Sequence, residues 1–248
     1  MLRKRLITVL TVNNGVLFRT RNFIPDYRYT LNFVDAWSVD EVVLLDITRP
    51  EEGDRKNFYQ VVRHFAENCF VPLTVGGGVQ SIAEVKTLLN IGADKVAINS
   101  QAALTPDFIS RMATLFGSQC VVVSIDTKKD QSGEYSVFTH FGERPLETGP
   151  VEWAKQVCGY GTGEILLQSI DLDGTLEGYD NALIKSVADA VDAPVLACSG
   201  AGNWKHFVDC FTIGGASAVC TTNIYHFTEK SIKSAKQYIR NAGIHIRV

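Results

Sequence analysis

Two glycine-rich segments, each at the end of an apolar run, have the composition of phosphate-binding loops. The first glycine segment is Val-Gly-Gly-Gly at 75–78, and the second glycine segment is Cys-Ser-Gly-Ala-Gly at 198–202. Glycine allows backbone amides to approach a phosphate closely, and a helix that begins just beyond adds the positive end of its dipole. We therefore predict phosphate contacts at Gly78 and Gly200, although either segment alone is equally typical of a tight turn.

Polar residues in comparable positions accompany both glycine segments. Each segment is followed, after the next apolar run, by a polar pair, and an Asp-Gly sequence after the sixth run would border the second segment. That Asp-Gly sequence alone could form an ordinary turn. Two glycine segments with the same polar neighbours favour two phosphate sites over two unrelated turns. The predicted contacts are Asn99, Ser100, Asp173, Gly174, Thr222 and Asn223.

Eight short apolar runs supply the strands that would position these residues. Helical patterns follow them, with apolar residues every three or four positions, as at 81–90, 107–116, 204–212 and 228–239. The 248 residues divided by eight give about 31 per strand-helix unit, which predicts a single-domain (β/α)8 barrel of the α/β class. A doubly wound sheet is the alternative, but Val-Asn-Asn-Gly stands where its Gly-rich turn would follow the first strand. The runs are 6–12, 42–47, 71–75, 95–98, 120–126, 164–170, 194–197 and 217–221.

The two halves of the chain, about 1–119 and 120–248, resemble each other. A shift of 123 positions superimposes Gly77 on Gly200, and it matches Ile-Gly-Ala-Asp-Lys-Val with Gly-Gly-Ala-Ser-Ala-Val. A duplicated half-barrel would have pseudo-twofold symmetry, which places the two glycine segments across the barrel opening from each other. We therefore expect a long substrate with similar groups at both ends.

The composition excludes several classes of protein. With 46% hydrophobic residues, 20 glycines and a net charge of -3, the chain is neither disordered nor collagen-like, and it lacks an overall basic charge for nucleic acid. The six cysteines form no Cys-x-x-Cys pair, and the five histidines lack metal-ligand spacing. We predict no cofactor, no metal site, no nucleic-acid or membrane partner, and a cytoplasmic protein with reduced cysteines.

Four charged residues stand at the starts of predicted strands. Side chains alternate along a strand, so Arg5 shares a face with Thr11, and Lys95 shares a face with Asn99. If these faces line the barrel, a ring of opposite charges could close the lumen at the amino-terminal ends of the strands. Solvated residues at the barrel rim would give the same pattern. The four residues are Arg5, Glu41, Lys95 and Glu164.

Longer stretches carry a family resemblance. They are Leu-Asp-Ile-Thr at 45–48, Pro-Leu-Thr-Val-Gly-Gly-Gly-Val at 72–79, Gly-Ala-Asp-Lys-Val-Ala-Ile-Asn-Ser at 92–100, Gly-Ser-Gln-Cys-Val-Val-Val at 117–123, Gly-Glu-Ile-Leu-Leu at 163–167 and Gly-Asn-Trp-Lys-His-Phe at 202–207. Over essentially its whole length the chain resembles the cyclase subunit of imidazole glycerol phosphate synthase, a (β/α)8 barrel. The resemblance implies a bisphosphorylated ribonucleotide-type substrate, a separate glutaminase subunit bound at the barrel bottom, and ammonia passing through the barrel to the mouth.

The resemblance also implies two catalytic aspartates, at the ends of strands one and five. They act as general acid and base while ammonia adds and the imidazole ring closes. Asp126 occupies the strand-five position, but Thr11 occupies the strand-one position. A hydroxyl cannot replace a carboxylate as a proton shuttle near neutral pH. We therefore expect weak or absent cyclisation.

Other departures from the family pattern lie at the same end of the barrel. Arg19 stands where the family usually has lysine, and the two side chains bind phosphate with different geometry. The family's Ser-Gly-Gly-Ala-Gly reads Cys-Ser-Gly-Ala-Gly at 198–202, and its Ala-Ser pair reads Thr-Asn at 222–223. The barrel mouth is therefore altered at several positions.

The barrel bottom keeps the residues that the resemblance implies. The family has a salt-bridged gate where ammonia enters, and its four residues match Arg5, Glu41, Lys95 and Glu164. Asp94 resembles a residue that contacts the glutaminase. Because paired charges inside a barrel carry a desolvation cost, their presence favours a conduit that still works.

These observations favour a divergent paralogue that forms a heterodimer with a glutaminase subunit and supplies ammonia for amidotransfer. A third synthase protein would be the acceptor, and relatives of this type are associated with nucleotide-sugar modification in surface polysaccharide synthesis. An authentic imidazole glycerol phosphate synthase cyclase/lyase of histidine biosynthesis is the alternative, and a non-catalytic scaffold barrel is a third reading. The polar segment 128–147 predicts a β-hairpin or a flexible loop that could cover the mouth.

Overall fold

The computed structural model describes residues 3–28, 39–53, 55–221 and 232–247, except for the side chain of Tyr27. Twelve strands lie within these residues. They are β1 (Arg5–Asn13), β2 (Val16–Arg21), β3 (Ile24–Arg28), β4 (Glu41–Asp46), β5 (Leu73–Gly76), β6 (Lys95–Ile98), β7 (Val121–Lys129), β8 (Tyr135–Thr139), β9 (Arg144–Pro145), β10 (Glu164–Ser169), β11 (Val195–Cys198) and β12 (Ala218–Thr221).

Eight of these strands form a closed parallel barrel. Their order around the barrel is β1, β4, β5, β6, β7, β10, β11 and β12, and β12 pairs with β1 to complete the circle. Each of the eight corresponds to one of the predicted strands, so the predicted (β/α)8 fold is confirmed. We call the carboxyl ends of these strands the mouth of the barrel and their amino ends the bottom.

From β4 onward, helices connect successive barrel strands, and several begin or end at the residues that the sequence patterns indicate. The Ser81 hydroxyl accepts a hydrogen bond from the Glu84 amide at the start of α2, and Gly92 ends that helix with a φ of 119°. Residues 228–231 of the predicted helix 228–239 lie outside the described residues. The helices are α1 (Lys56–Asn68), α2 (Ile82–Ile91), α3 (Ser100–Leu104), α4 (Asp107–Phe116), α5 (Pro150–Gly159), α6 (Asn181–Ala188), α7 (Trp204–Thr212) and α8 (Ile232–Asn241).

The barrel has two separate apolar cores, because the strands bury side chains on both faces. The larger core lies between the strands and the helices and contains Phe58 and Phe207. The smaller one fills the middle of the lumen, so the barrel encloses a packed apolar layer. Its buried members are Ile7, Val9, Val43, Ala97, Val122, Leu166, Leu196, Ala218 and Cys220. The predicted alternation along β1, β4, β6 and β10 is therefore found.

Two hairpins extend from the mouth, after the first and fifth barrel strands. β1 turns into β2 through Asn14 and Gly15, whose φ values of 47° and 77° are those of a two-residue hairpin turn, and β3 then pairs with β2. β7 pairs with β8, and β8 with β9, so the segment 128–147 contains the predicted hairpin. The described residues include no helix that is long and apolar enough to span a membrane.

Candidate active site and charged ring

A cavity of about 830 Å³ lies at the mouth, and most of the predicted site residues line it. Its walls come from the ends of the barrel strands, both glycine segments and both hairpins. The predicted residues that line it are Thr11, Arg19, Gly78, Asn99, Ser100, Asp126, Asp173, Gly174 and Gly200. Thr222 and Asn223 lie outside the described residues. The mouth is therefore the place where the barrel can hold a substrate-sized molecule.

Asp126 is buried near the end of β7 and, within the described residues, accepts hydrogen bonds only from neutral groups. Its Oδ1 accepts from Ser124 Oγ at 2.7 Å and from Gln168 Nε2 at 3.0 Å. Burial raises the pKa of Asp126 to about 6, and the nearby Asp173 carboxyl adds to this while the two hydrogen bonds oppose it. A carboxyl with this pKa can both accept and donate a proton near neutral pH.

Ser124 and Gln168 were not among the residues singled out from the sequence. Both side chains face the lumen, and Gln168 Nε2 also donates to Ser124 Oγ at 3.0 Å. Side chains alternate along a strand, so Ser124 lies on the same face as Asp126, and this spacing could have indicated Ser124 from the sequence. The partner across the strands, Gln168, is opposite Asp126 in the β7–β10 register.

Thr11 lines the cavity, but its hydroxyl is engaged by the first hairpin. Thr11 Oγ1 donates to the carbonyl oxygen of Phe18 at 2.6 Å, and the two residues are paired across β1 and β2. The hydroxyl therefore holds the hairpin in place. A threonine hydroxyl cannot act as a proton shuttle near neutral pH.

The first glycine segment is too tight for side chains. An added Cβ at Gly77, where φ is 93°, would lie 2.0 Å from the Asp46 carbonyl oxygen. Gly78 is exposed, and the nearest atom to an added Cβ is Nη1 of Arg55, at 3.5 Å. Arg55 pairs with Asp46 at 3.4 Å and also with Glu84. The structure thus adds a cation beside Gly78 that the sequence did not indicate, because Arg55 reaches the mouth from the start of α1.

Asn99 and Ser100 connect the strand end to the second hairpin. Asn99 Nδ2 donates to the carbonyl oxygens of Ser124 at 3.2 Å and Phe138 at 3.3 Å. Ser100 Oγ accepts from the His140 amide at 3.0 Å. These bonds fix the loop that begins α3 next to the cavity.

The second glycine segment differs from the first because it carries a side chain. Ser199 has a φ of 80°, a left-handed conformation that costs a non-glycine residue on the order of 1–3 kcal/mol. An added Cβ at Gly200 would lie 2.0 Å from the carbonyl oxygen of Gly178, which requires glycine there. The Gly178 amide donates to the Gly200 carbonyl at 2.7 Å. This segment is therefore fixed against the loop that follows β10.

Asp173 and Gly174 hold the tip of the first hairpin. Asp173 Oδ2 accepts from the Phe23 amide at 3.1 Å, and its carbonyl oxygen accepts from the Asn22 amide at 3.1 Å. An added Cβ at Gly174 would lie 2.5 Å from the Thr20 carbonyl oxygen. Burial raises the pKa of Asp173, although the bonds from Thr20 and Phe23 oppose the change.

Arg19 lines the cavity from the first hairpin and forms an ion pair with Asp26 on the other strand. The Nη2 to Oδ2 distance is 2.7 Å. The hairpin also contributes Phe18 and Phe23 to the cavity wall. In the present arrangement, Arg19 stabilises the hairpin and faces the same space as the two glycine segments.

At the bottom of the barrel, the four predicted charged residues form a closed ring of ion pairs, which we call the charged ring. Arg5 pairs with Glu41 at 2.6 Å and with Glu164 at 2.8 Å. Lys95 pairs with the same two carboxylates, at 3.1 Å and 2.7 Å. All four side chains are at most 15% exposed. The charged ring therefore lies inside the barrel below the apolar layer, and its members are not solvated rim groups.

Each side chain of the charged ring contacts two oppositely charged members of the ring. Burial alone would raise the pKa of Glu41, but Arg5 and Lys95 outweigh it and hold the pKa below its ordinary value. Burial would lower the pKa of Arg5, and the two glutamates reverse this, so its pKa is raised. Alternating charges with two contacts each offset the cost of removing them from water.

Asp94 lies beside the charged ring on the outer surface of the bottom. Its side chain is exposed, and Oδ2 accepts from the Leu73 amide at 2.8 Å. Arg247, near the end of the chain, approaches Glu41 at 3.8 Å. The bottom therefore offers exposed charges around the buried ring.

The model of a protein family described as histidine biosynthesis protein matches residues 8–231 of this chain. The matched range begins within β1 and ends just before α8, so it includes both glycine segments and Asp126. It also includes three members of the charged ring, and Arg5 lies just before it.

Proposed function

The chain belongs to the histidine biosynthesis protein family, and on that basis we propose that it is an ammonia-accepting barrel similar to the cyclase subunit of imidazole glycerol phosphate synthase. A glutaminase subunit would bind at the bottom, and ammonia would pass through the charged ring and the lumen to the mouth. There it would supply amidotransfer to an acceptor other than the imidazole precursor, with a third synthase protein involved. Nucleotide-sugar modification in surface polysaccharide synthesis is a setting that fits this activity.

One observation carries the proposal: the bottom retains the charged ring while the mouth lacks one of two expected carboxyls. The ring is complete, with four ion pairs of 2.6–3.1 Å. The hydroxyl of Thr11 is bonded to the Phe18 carbonyl and cannot act as a proton shuttle. A complete charged ring below a mouth that lacks one carboxyl supports delivery of ammonia to a reaction other than imidazole ring closure.

Ammonia would have to cross the packed apolar layer in the middle of the lumen, between side chains that move apart. This layer is apolar, and ammonia, unlike ammonium, carries no charge that would need to be desolvated there. Excluding water from this path protects ammonia from protonation before it reaches the mouth. The charged ring would have to open for ammonia to enter, which a bound glutaminase could bring about by competing for its charges.

Binding of a glutaminase tests the lower half of the proposal. The purified chain should co-purify with the glutaminase subunit made in the same cells, and Asp94→Asn should weaken this binding about tenfold or more because it removes an exposed charge. This substitution keeps an oxygen that can accept from the Leu73 amide, so the loop is preserved. Glu177→Gln, on an exposed residue at the mouth, is the matched control and should bind as the unchanged chain does. Equal binding by Asp94→Asn, or no binding by the unchanged chain, would contradict the proposal.

A cyclase/lyase of histidine biosynthesis is the second candidate, and Asp126 favours it. This carboxyl has a pKa of about 6 and lines a cavity that also contains both glycine segments. One general acid-base group and two phosphate sites would then be enough for ring closure. Turnover of the family substrate by the unchanged chain would support this candidate. Recovery of cyclisation in Thr11→Asp, from a chain that is nearly inactive, would instead show that the mouth still binds the family substrate and that Thr11 limits the reaction.

A further inference from the structure

Ser199 combines two unfavourable features in the second glycine segment. Its φ of 80° lies in the left-handed region that favours glycine. The residue is only 7% exposed, and within the described part of the chain its Oγ has no hydrogen-bond partner. Buried polar groups without partners are rare in folded proteins, and strained residues are concentrated at functional sites. Both features at one residue that lines the mouth cavity call for a ligand group that would satisfy the hydroxyl.

The internal duplication provides a control position for Ser199. A shift of 123 residues pairs it with Gly76 in the first glycine segment. A Cβ added at Gly76 would lie 2.7 Å from both the Cβ and the carbonyl oxygen of Ala97, so the first segment has no room for a side chain there. The two segments are therefore not equivalent, and only the second presents a hydroxyl beside its glycines.

The backbone amides of the second segment are partly occupied by the protein itself. The Gly202 amide donates to His206 Nδ1 at 3.1 Å, so it is not available to a ligand in this arrangement. A hydroxyl at Ser199 would compensate for that amide as a donor. Its Oγ is covered in this conformation, but rotation about the Cα–Cβ bond alone changes its direction.

We infer that the Ser199 hydroxyl donates a hydrogen bond to a phosphate-type oxyanion held at the second glycine segment. This inference rests on the phosphorylated ligand of the proposed function and adds a specificity-determining residue to it. The ligand end at the second segment is then recognised by a side-chain donor, whereas the end at the first segment is recognised by backbone amides with Arg55 nearby. The two ends of the ligand are consequently distinguished by the protein.

Inorganic phosphate is a suitable probe because the two segments can be observed separately. In an amide nuclear magnetic resonance titration, Gly200 reports the second segment and Gly77 reports the first. We expect Ser199→Ala and Ser199→Gly to weaken phosphate binding at Gly200 about tenfold, since a hydrogen bond to a charged group is lost. Binding at Gly77 should stay within about twofold and serves as the internal control. Ser199→Gly relieves the left-handed strain, so loss of binding in that variant cannot come from misfolding.

The outcomes separate this inference from the proposed function. Unchanged or tighter phosphate binding at Gly200 in Ser199→Ala would mean that the Ser199 hydroxyl does not contact the phosphate or that its side chain obstructs it. This result would overturn the inference and leave the proposed function unaffected. Absence of a phosphate response at both segments of the unchanged chain would overturn the inference together with the phosphorylated ligand. The ammonia conduit would still be judged separately, by glutaminase binding.

Discussion

Two buried carboxyl groups, one at the bottom and one at the mouth of the barrel, have pKa values that are shifted in opposite directions. In the charged ring, Glu41 contacts Arg5 and Lys95, which hold its pKa below the ordinary value despite burial. At the mouth, Asp126 is equally inaccessible but receives hydrogen bonds from neutral groups, and burial raises its pKa to about 6. The two carboxyl groups therefore differ: cations stabilise the charged form of Glu41 at the bottom, whereas Asp126 at the mouth can change protonation near neutral pH.

This difference indicates what each end can do. In the charged ring, Glu41 has two cationic partners and a lowered pKa, so this carboxyl has no proton to donate at neutral pH. An unpaired buried carboxyl is costly when charged, and it is suited to proton transfer. A closed ring of ion pairs at the bottom and a titratable carboxyl at the mouth thus lie on opposite sides of a packed apolar layer.

The largest effect is expected from breaking the charged ring. Lys95→Met removes one cation and leaves two buried glutamates to share Arg5, which should lower the free energy of unfolding by about 3–5 kcal/mol. Urea unfolding at neutral pH measures this difference.

Lys185→Met is the matched control for that substitution. Lys185 pairs with Asp189 at 2.8 Å on the exposed face of α6, with side chains 58% and 64% exposed. Such a surface pair contributes about 0.5 kcal/mol or less. If Lys95→Met lowers the free energy of unfolding no more than Lys185→Met does, the four ion pairs of the charged ring are not energetically coupled.

The next largest effect is expected from replacing the buried carboxyls, because the stabilities of the Asp126 and Glu41 variants should depend on pH in opposite directions. The raised pKa of Asp126 means that its favourable contribution is complete below the unfolded pKa and is lost as pH rises through about 6. Asp126→Asn should therefore raise the free energy of unfolding by about 2–3 kcal/mol at pH 8, and this gain should disappear near pH 4. Urea unfolding at the two pH values gives the result.

Glu41→Gln should show the reverse pH dependence. The pKa of Glu41 is lowered, so its contribution is present above the unfolded pKa and is lost as pH falls through the folded value. This variant should be destabilised at pH 8, and the difference from the unchanged chain should shrink in acid. The same sign of pH dependence in both variants would remove the contrast between the two ends.

The smallest expected effect concerns the hydroxyl of Thr11. Thr11→Val keeps the shape of the side chain but leaves the Phe18 carbonyl oxygen without its 2.6 Å partner. We expect a loss of about 1 kcal/mol in unfolding free energy, and faster hydrogen exchange in β2 and β3 than in the barrel strands. Uniform exchange rates across the chain would show that Thr11 does not anchor the hairpin.

Much of the fold could be predicted from the sequence because it depends on local periodicity. The eight apolar runs each became a barrel strand, and alternation placed Arg5 and Thr11 on one face of β1. The first hairpin was missed, although Asn14-Gly15 is a strong signal for a two-residue turn between strands. Polar and charged residues interrupt the apolar residues of both β2 (Val-Leu-Phe-Arg-Thr-Arg) and β3 (Ile-Pro-Asp-Tyr-Arg), so neither gives a continuous apolar run.

The partners of the site residues could not be predicted, because they depend on contacts between distant parts of the chain. Gln168 reaches Asp126 from a neighbouring strand 42 positions later. Asp173 binds the tip of a hairpin 150 positions earlier in the chain. The Asp-Gly sequence indicated Asp173, and the family resemblance indicated Asp126. Only the closed barrel shows that Asp126 accepts hydrogen bonds from Ser124 and Gln168, and that the Asp173 carboxyl accepts them from the Phe23 amide and the Thr20 side chain.

We propose that the barrel keeps an entrance for ammonia but does not close the imidazole ring at its mouth. Turnover of the bisphosphorylated ribonucleotide substrate of the cyclase family, by the purified chain with excess ammonium salt, tests it most directly because no glutaminase is needed. Almost no formation of the imidazole product is expected. Turnover at ordinary enzymatic rates, on the order of 1 s⁻¹ or faster, would contradict this proposal.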